Sequence, residues 1–314
     1  MENLVTVARQ VAILFVLMGF GAVMRKAKFF KDNAIDGIVN VLILVVTPCL
    51  IVDVFQRPFD PSKLKGLGVA FALAVLIHAV LIVLSRFVVR HRDEDVRCPL
   101  RLAAVFSNAG FMGIPLEQAI LGDAGVFYGV VYVVVFNLFI WSWGYGTMRD
   151  STARGTQRQA LSAKMWVNPG TVGLVLGAPL FFLSVRLPEV IAVPVHHMAN
   201  LNPPLAMIVI GYALVGAEFG KVLRTGAVYV AAAVRLVACP LLAIAALYPF
   251  RATLDRNMML AMAIAASAPV ASMVSMFAQK FGRDVDVSVS VVSGTTLLSI
   301  LTMPVVIALA MGVL

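Results

Sequence analysis

The sequence predicts an all-α polytopic membrane protein of about ten transmembrane helices, arranged as two inverted five-helix repeats. Three observations predict it: the composition, a succession of apolar runs, and interruptions inside two of those runs. Of 314 residues, 61% are hydrophobic and 13% charged, against roughly 25% charged in a soluble domain. A chain so poor in charge needs a bilayer as its solvent.

Each span requires about 20 mainly apolar residues, because a helix rising ~1.5 Å per residue must cross ~30 Å of hydrocarbon. Runs that qualify lie at 5–24, 34–54, 66–89, 99–121, 125–147, 165–185, 200–217, 223–248, 256–280 and 285–312. The first has only Arg9 ahead of its core and no small-residue cleavage pattern before Arg25 and Lys26, so it is expected to be a span rather than a signal peptide. The apolar piece from Ile191 to Met198, holding Pro194, His196 and His197, is too brief to cross and is expected at the interface. Short connections leave no room for a separate soluble catalytic domain.

The net charge of +9 does not indicate nucleic acid, because Lys and Arg cluster between apolar runs instead of lining one polar face. Alternate loops carry most of them: Arg25, Lys26, Lys28 and Lys31; Arg86, Arg90, Arg92, Arg97 and Arg101; Arg149, Arg154, Arg158 and Lys164; Lys221 and Arg224; Lys280 and Arg283. The other set holds Arg9; Arg57, Lys63 and Lys65; Arg186; Arg251 and Arg256. By the positive-inside rule the rich set is cytoplasmic, and both termini are expected outside the cell membrane. Cys49, Cys98 and Cys239 are scattered without metal-ligand spacing and read as buried thiols. No metal or cofactor is expected.

An odd number of spans per half makes two halves enter the membrane in opposite directions. The expected division is 1–148 as the first five-helix repeat, 149–164 as a cytoplasmic linker and 165–314 as the second repeat. Laying Gly122 over Gly282 sets Asn108, Ala109 and Gly110 opposite Ala268, Pro269 and Val270. Both triplets weaken a helix in mid-span. Residue identity between the halves is low, so hydropathy and breaks carry the repeat.

The fourth run contains Ser107-Asn-Ala-Gly-Phe-Met-Gly-Ile-Pro-Leu116, and the ninth contains Ser267-Ala-Pro-Val-Ala-Ser272. Gly costs a helix roughly 1 kcal/mol and Pro about 3. Backbone freed inside a membrane persists only where protein buries it or where it lines a cavity. Two broken spans in equivalent positions point to a midplane binding site. The site favours an anion, because a helix restarting after a break presents free N–H groups and about half a positive charge. The Asn108 carboxamide adds donors. The plainer alternative, that Gly and Pro only permit close packing or a kink, accounts for one break better than for a symmetric pair.

The stretch from Asn108 to Leu116, N-A-G-F-M-G-I-P-L, followed by Gly122, resembles the fourth-span signature of the auxin efflux carrier family, which includes bacterial malate and malonate permeases and plant auxin carriers. Pro269 to Val274, Phe277-Ala278, the polar Asp284 to Asp286 and a last span with Pro304 resemble that family's ninth and tenth spans. The resemblance implies a scaffold domain, a mobile transport domain, and fourth and ninth helices that cross at their breaks. It places a substrate carboxylate against Asn108, Ala109 and Gly110 where they meet Ala268, Pro269 and Val270. The central loop at 149–164 is far shorter than in the plant carriers, so an indole acid is not the favoured cargo.

Other polar groups within spans are costly in lipid and therefore candidates for function. Arg235, mid-way along span eight, is expected to pair with backbone carbonyls or with the transported carboxylate. His78, mid-way along span three, titrates in its unperturbed state near physiological pH and is a candidate for proton coupling beside its plainer structural reading. Pro48 after Thr47, and Asn202 before two prolines, open carbonyls to a cation or substrate in corresponding helices; a kink and an N1 proline are the plainer readings. Asn137 in span five is expected near the crossing. Asp53, Glu117 and Glu218 read as lying towards span ends. Adjacent His196 and His197 make a poor chelating pair, and Trp141, Trp143 and Tyr145 read as headgroup anchors.

The leading function is a secondary carrier of small organic anions working by alternating access. A sodium-coupled carrier of another organic solute is the alternative, and a channel is less favoured because no filter-like motif is present. No His-Glu-x-x-His, intramembrane carboxylate pair or activated Ser pattern indicates an enzyme. Expected partners are the anion and the bilayer, with spans one, two, six and seven a surface for a homodimer.

Overall fold

A computed structural model describes residues 2–29, 32–149, 169–215 and 226–314. Lys31, Glu218, Lys221, Arg224 and the expected linker from residue 150 onward, with Arg154, Arg158 and Lys164, lie outside the described residues.

The regular elements are helices: α1 (Glu2–Lys26), α2 (Asp32–Val41), α3 (Thr47–Phe55), α4 (Pro61–Val88), α5 (Glu94–Val105), α6 (Ile114–Leu121), α7 (Asp123–Phe139), α8 (Tyr145–Met148), α9 (Pro169–Phe182), α10 (Glu189–Ala199), α11 (Asn202–Val215), α12 (Gly226–Ala233), α13 (Cys239–Leu247), α14 (Arg256–Ser267), α15 (Met273–Lys280) and α16 (Val285–Val313). Wider π turns at Leu42–Val46, Ile140–Gly144 and Val234–Ala238 join α2 to α3, α7 to α8 and α12 to α13 without ending the helix, while another at Ala109–Gly113 leads into α6. Such turns are frequent at functional sites.

Ala34–Phe55, Pro61–Val88, Asp123–Met148, Glu189–Val215, Gly226–Phe250 and Val285–Val313 are each long and apolar enough to cross a membrane. Large apolar side chains such as Leu44, Val83, Leu298 and Leu301 are exposed on their outer faces, as they must be where the surroundings are hydrocarbon. The chain is a polytopic α-helical membrane protein.

One expectation needs correction. Ile191 to Met198 is not a separate interfacial piece, because α10 includes it and only Asn200 and Leu201 stand between α10 and α11. The helix tolerates Pro194 in its interior, and together the two helices make one apolar stretch, Glu189–Val215.

Aspartates fix several helix starts. Asp93 and Asp255, ahead of α5 and α14, and Asp284, ahead of α16, accept hydrogen bonds from Asp95, Met258 and Val287 amides, satisfying first-turn donors that have no helical acceptor. Glycines set the closest helix contacts. A Cβ on Gly21 would fall on the Ile208 backbone and one on Gly211 on the Met18 backbone, so α1 and α11 meet backbone to backbone. In the same way α9 lies against α3, with Gly173 on Pro48 and Ile51 and Gly177 on Phe55. Within the molecule, α14 is buried from Met258 through Ser267, which suits a helix that is apolar on every face.

Candidate functional site: the helix crossover

The site begins with two helices that stop in mid-protein. After α5 the backbone turns extended at Phe106 (φ −97°, ψ 114°), and after α14 at Ala268 (φ −61°, ψ 147°). Both places precede the Gly- and Pro-containing triplets that weaken the helix. The extended pieces pair antiparallel with Ser107 opposite Val270. Asn108 N–H donates to Pro269 O at 2.7 Å, and Ala271 N–H donates to Phe106 O at 3.0 Å. These are the reciprocal bonds of one antiparallel pair, and they satisfy backbone groups that would be unsupportable in lipid. Val270 N–H donates to Thr295 Oγ1 at 3.2 Å. The first-half segment at the crossing is Phe106–Asn108, which lies earlier than the expected Asn108–Gly110.

Arg235 ties the two stopped helices together. Its side chain is fully buried, with 0% exposure. Nη1 donates to Val105 O at 2.8 Å, and Nη2 donates to Ala266 O and to Cys239 Sγ. Val105 and Ala266 lie at the C-terminal ends of α5 and α14, where carbonyls lack helical donors and the helix dipole is negative. A rigid fork of N–H donors reaches both at once, which an ammonium point charge does less well.

Beyond the crossing, the π turn Ala109–Gly113 and α15 begin again with their N-termini on one cavity. Its volume is about 270 Å³. Polar lining comes from Thr47, Ser107, Asn108, Asn137, Asn202 and Ser272, and the apolar wall includes Leu50, Phe111, Val133, Phe136 and Trp141. Among the described residues, no Lys, Arg, His, Asp or Glu is part of the lining. Asn108 is 4% exposed and does not cap its own helix, which leaves its carboxamide to the cavity. Asn137 donates Nδ2–H to Val133 O at 2.8 Å.

The structure thus brings Asn108, Gly110, Asn137 and Asn202 to one cavity. Ala268, Pro269 and Val270 form the crossing strand beneath it, and Ala109 is buried beside them. Arg235 does not reach the lining. Neither does His78, which is fully buried, bonds Ala74 O through Nδ1 at 2.8 Å and stacks on Phe139 at 5.4 Å. Pro48 packs against Gly173 while its neighbour Thr47 faces the cavity.

Two placements correct the sequence reading. Trp141 is no headgroup anchor: it lines the cavity and packs edge-on against Phe277 at 5.2 Å. Glu117 does not sit at an open span end: it is 0% exposed, and neither carboxyl oxygen has a hydrogen-bond partner among the described residues. It fits only because Gly129 of α7 lacks a Cβ that would strike the carboxyl. Thr171 on α9 also lines the cavity, and no local pattern marks it in the sequence.

Apolar helices wrapped around two interrupted, crossing helices beside an internal cavity define a membrane transporter. The chain belongs to the membrane transport protein family of auxin efflux carrier-like proteins, whose model matches residues 6–307. No curated protein matches the chain.

Proposed function

We propose that the chain is a secondary transporter of small organic anions that works by alternating access around the crossover. One observation carries the reading: the segments restarting at Ala109 and Met273 open, with Asn108, onto a single cavity whose lining, among the described residues, holds no charged side chain. First-turn N–H groups, which have no helical acceptor, and the positive ends of two helix dipoles are what that cavity offers a ligand, and both favour an anion.

The lining bears on which anion. A single carboxylate finds donors at the crossover end, but a second one would be desolvated without a partner, at a cost of several kcal/mol. Among the acids transported by this type of carrier, those with one carboxylate and an apolar body fit this wall better than malate or malonate.

The proposal includes ten transmembrane helices in two inverted halves, 1–148 and 165–314, joined by a cytoplasmic segment at 149–164. Four pairings support it. Gly122 and Gly282 follow the two broken spans with φ of 63° and 64°. Asp93 and Asp255 cap their first halves. The α1–α11 contact is matched by α3–α9, as expected if spans one and six, and two and seven, are equivalent. The crossing bonds are reciprocal about Ser107 and Val270. In this scheme α1, α2, α3, α9, α10 and α11 form the scaffold and offer the face for a homodimer, and both termini lie outside.

Thermal unfolding of detergent-purified protein with a panel of mono- and dicarboxylates tests the reading, because a ligand specific to the folded state raises its stability. A rise with an apolar monocarboxylate that disappears in Asn108→Ala is the expected result. A panel without effect on either protein, together with no carboxylate flux in proteoliposomes, overturns it.

A further inference from the structure

A second, smaller pocket lies beside the cavity and shares Leu50, Ile114 and Asn202 with it. Its own polar groups come from elements far apart in sequence: Asp53 at the end of α3, Gln118 on α6, Asp123 at the start of α7, and Asn200 and Asn202 at the α10–α11 junction. The volume is about 10 Å³, close to a single water-sized sphere. Nothing larger than one small ion or one water fits.

Its polar side chains all bear oxygen, and two of those oxygens are unspent. Asn202 is 2% exposed, and its Oδ1 has no hydrogen-bond partner among the described residues. Gln118 Oε1 is likewise buried and unpartnered, since the amide spends Nε2–H on Asp123 Oδ1 at 2.9 Å. The Asp123 carboxylate forms no ion pair among the described residues. A buried acceptor left without a donor is destabilising, so two of them on residues that line one small pocket call for an occupant that oxygen attracts.

The charges around the pocket set its valence. Asp53 and Asp123 bring two negative charges. Arg57 follows α3 nearby, and its guanidinium is engaged by Val54 O at 2.6 Å, Asp123 O at 3.2 Å and the Phe127 ring at 4.5 Å. It offsets one charge at short range without ligating either carboxylate. His196 lies 2.9 Å from Asp53 Oδ2 through Nδ1, with Asn200 Nδ2 at 3.0 Å from its other nitrogen. Counting permanent cations alone, Arg57 offsets one of the two carboxylate charges and one is left over. Cys49 on α3, Tyr128 on α7, Glu189 and His197 on α10 and Tyr212 on α11 complete the titratable groups of the packed elements, with the buried Glu117 on α6 and Tyr132 on α7.

We propose that this pocket is a sodium-sized cation site, held by Asp53, Asp123, Gln118 Oε1 and Asn202 Oδ1, and linked to the cavity through Asn202. Hard oxygen ligands suit a hard cation, and one excess charge suits a monovalent one. The site also supplies what the cavity lacks. A cation here stands next to a cavity that no cationic side chain among the described residues lines, so cation and anion raise each other's affinity, and the effect is reciprocal. The cation site stands on its own geometry; the coupling rests on the anion reading above.

The test measures thermal unfolding of the purified full chain, without any carboxylate, in NaCl, KCl, LiCl, CaCl2 or choline chloride at matched ionic strength. Wild type is expected to gain on the order of 2 °C or more in sodium over choline. In Asp123→Asn and Gln118→Leu the apparent sodium dissociation constant is expected to rise about tenfold or more. No sodium-specific gain in wild type overturns the site regardless of how the variants fold. A gain with calcium and none with sodium overturns the monovalent assignment, and an equal gain in wild type and both variants places the ion elsewhere. Because no carboxylate is present, failure of the anion reading leaves this result intact.

Discussion

Asn108 and Pro269, which belong to different broken helices, are joined by an amide-to-carbonyl hydrogen bond of 2.7 Å. The bond fixes where Asn108 begins the second half of its span, and hence where its carboxamide meets the cavity. A proline at this position loses nothing as a partner, because it contributes only its carbonyl. Replacing Pro269 by Ala keeps the acceptor carbonyl but is expected to let α14 extend into the crossing and weaken that bond, since Ala favours helix by about 3 kcal/mol over Pro. Carboxylate-dependent stabilisation should fall in Pro269→Ala without loss of folded protein; unchanged stabilisation would show that the break does not depend on this ring.

Arg235 is expected to be a positioning residue for the crossover. Arg235→Met leaves the Val105 and Ala266 carbonyls without donors, at about 1–3 kcal/mol each. Arg235→Lys should recover part of that loss, having donors but no fork. Midpoints of thermal unfolding in detergent check the order wild type, Lys, Met. Equal midpoints for all three would remove the clamp.

Glu117 and Gly129 should be coupled. Gly129→Ala drives a methyl group into the Glu117 carboxyl and is expected to cost roughly 1–3 kcal/mol by overpacking. Glu117→Ala makes room, so the double variant should be more stable than the sum of the singles, by at least about 0.5 kcal/mol in a mutant cycle. Additive effects would mean that the two residues do not meet.

The contact of α1 with α11 depends on two glycines. Gly211→Val would force its side chain onto the Met18 backbone, and no rotamer relieves a clash with backbone. Destabilisation of several kcal/mol is expected, against little for Gly19→Val, where nothing lies within 4 Å. Yield and monodispersity of the two purified variants make the comparison.

At the opposite end from the small pocket, Arg283 binds Asp95 at 2.7 Å, Glu94 at 3.4 Å and Met148 O at 2.9 Å. Burial pulls its pKa down, but the hydrogen bond to Asp95 and the nearby carboxylates raise it above the ordinary arginine value. A raised pKa on a cation means that its stabilisation is complete at all pH values below the unfolded value and is lost only on strong alkalinisation. Between pH 6 and 9 the contribution of Arg283, measured by Arg283→Gln, is therefore expected to be constant. A slope in that interval would assign the interaction to another group.

The sequence by itself determined that this is a polytopic helical membrane protein and where two of its spans break. Those properties are local: hydropathy is summed along the chain, and Gly110, Gly113, Pro115 and Pro269 weaken a helix wherever it lies. Asn108 was also legible as a site candidate, because its carboxamide adds donors beside a helix break, and the family resemblance put Asn137 near the crossing. What only the tertiary structure decided depends on which helices become neighbours. It set the register of the crossing at Ser107 and Val270. It turned Arg235 away from the cavity onto two carbonyls of other helices, brought Trp141 and Thr171 to the cavity wall, and closed α7 over Glu117 at Gly129. The physical reason is common to all four: a helix has no preferred direction for a polar or aromatic side chain until packing supplies the acceptor, the space or the wall that it meets.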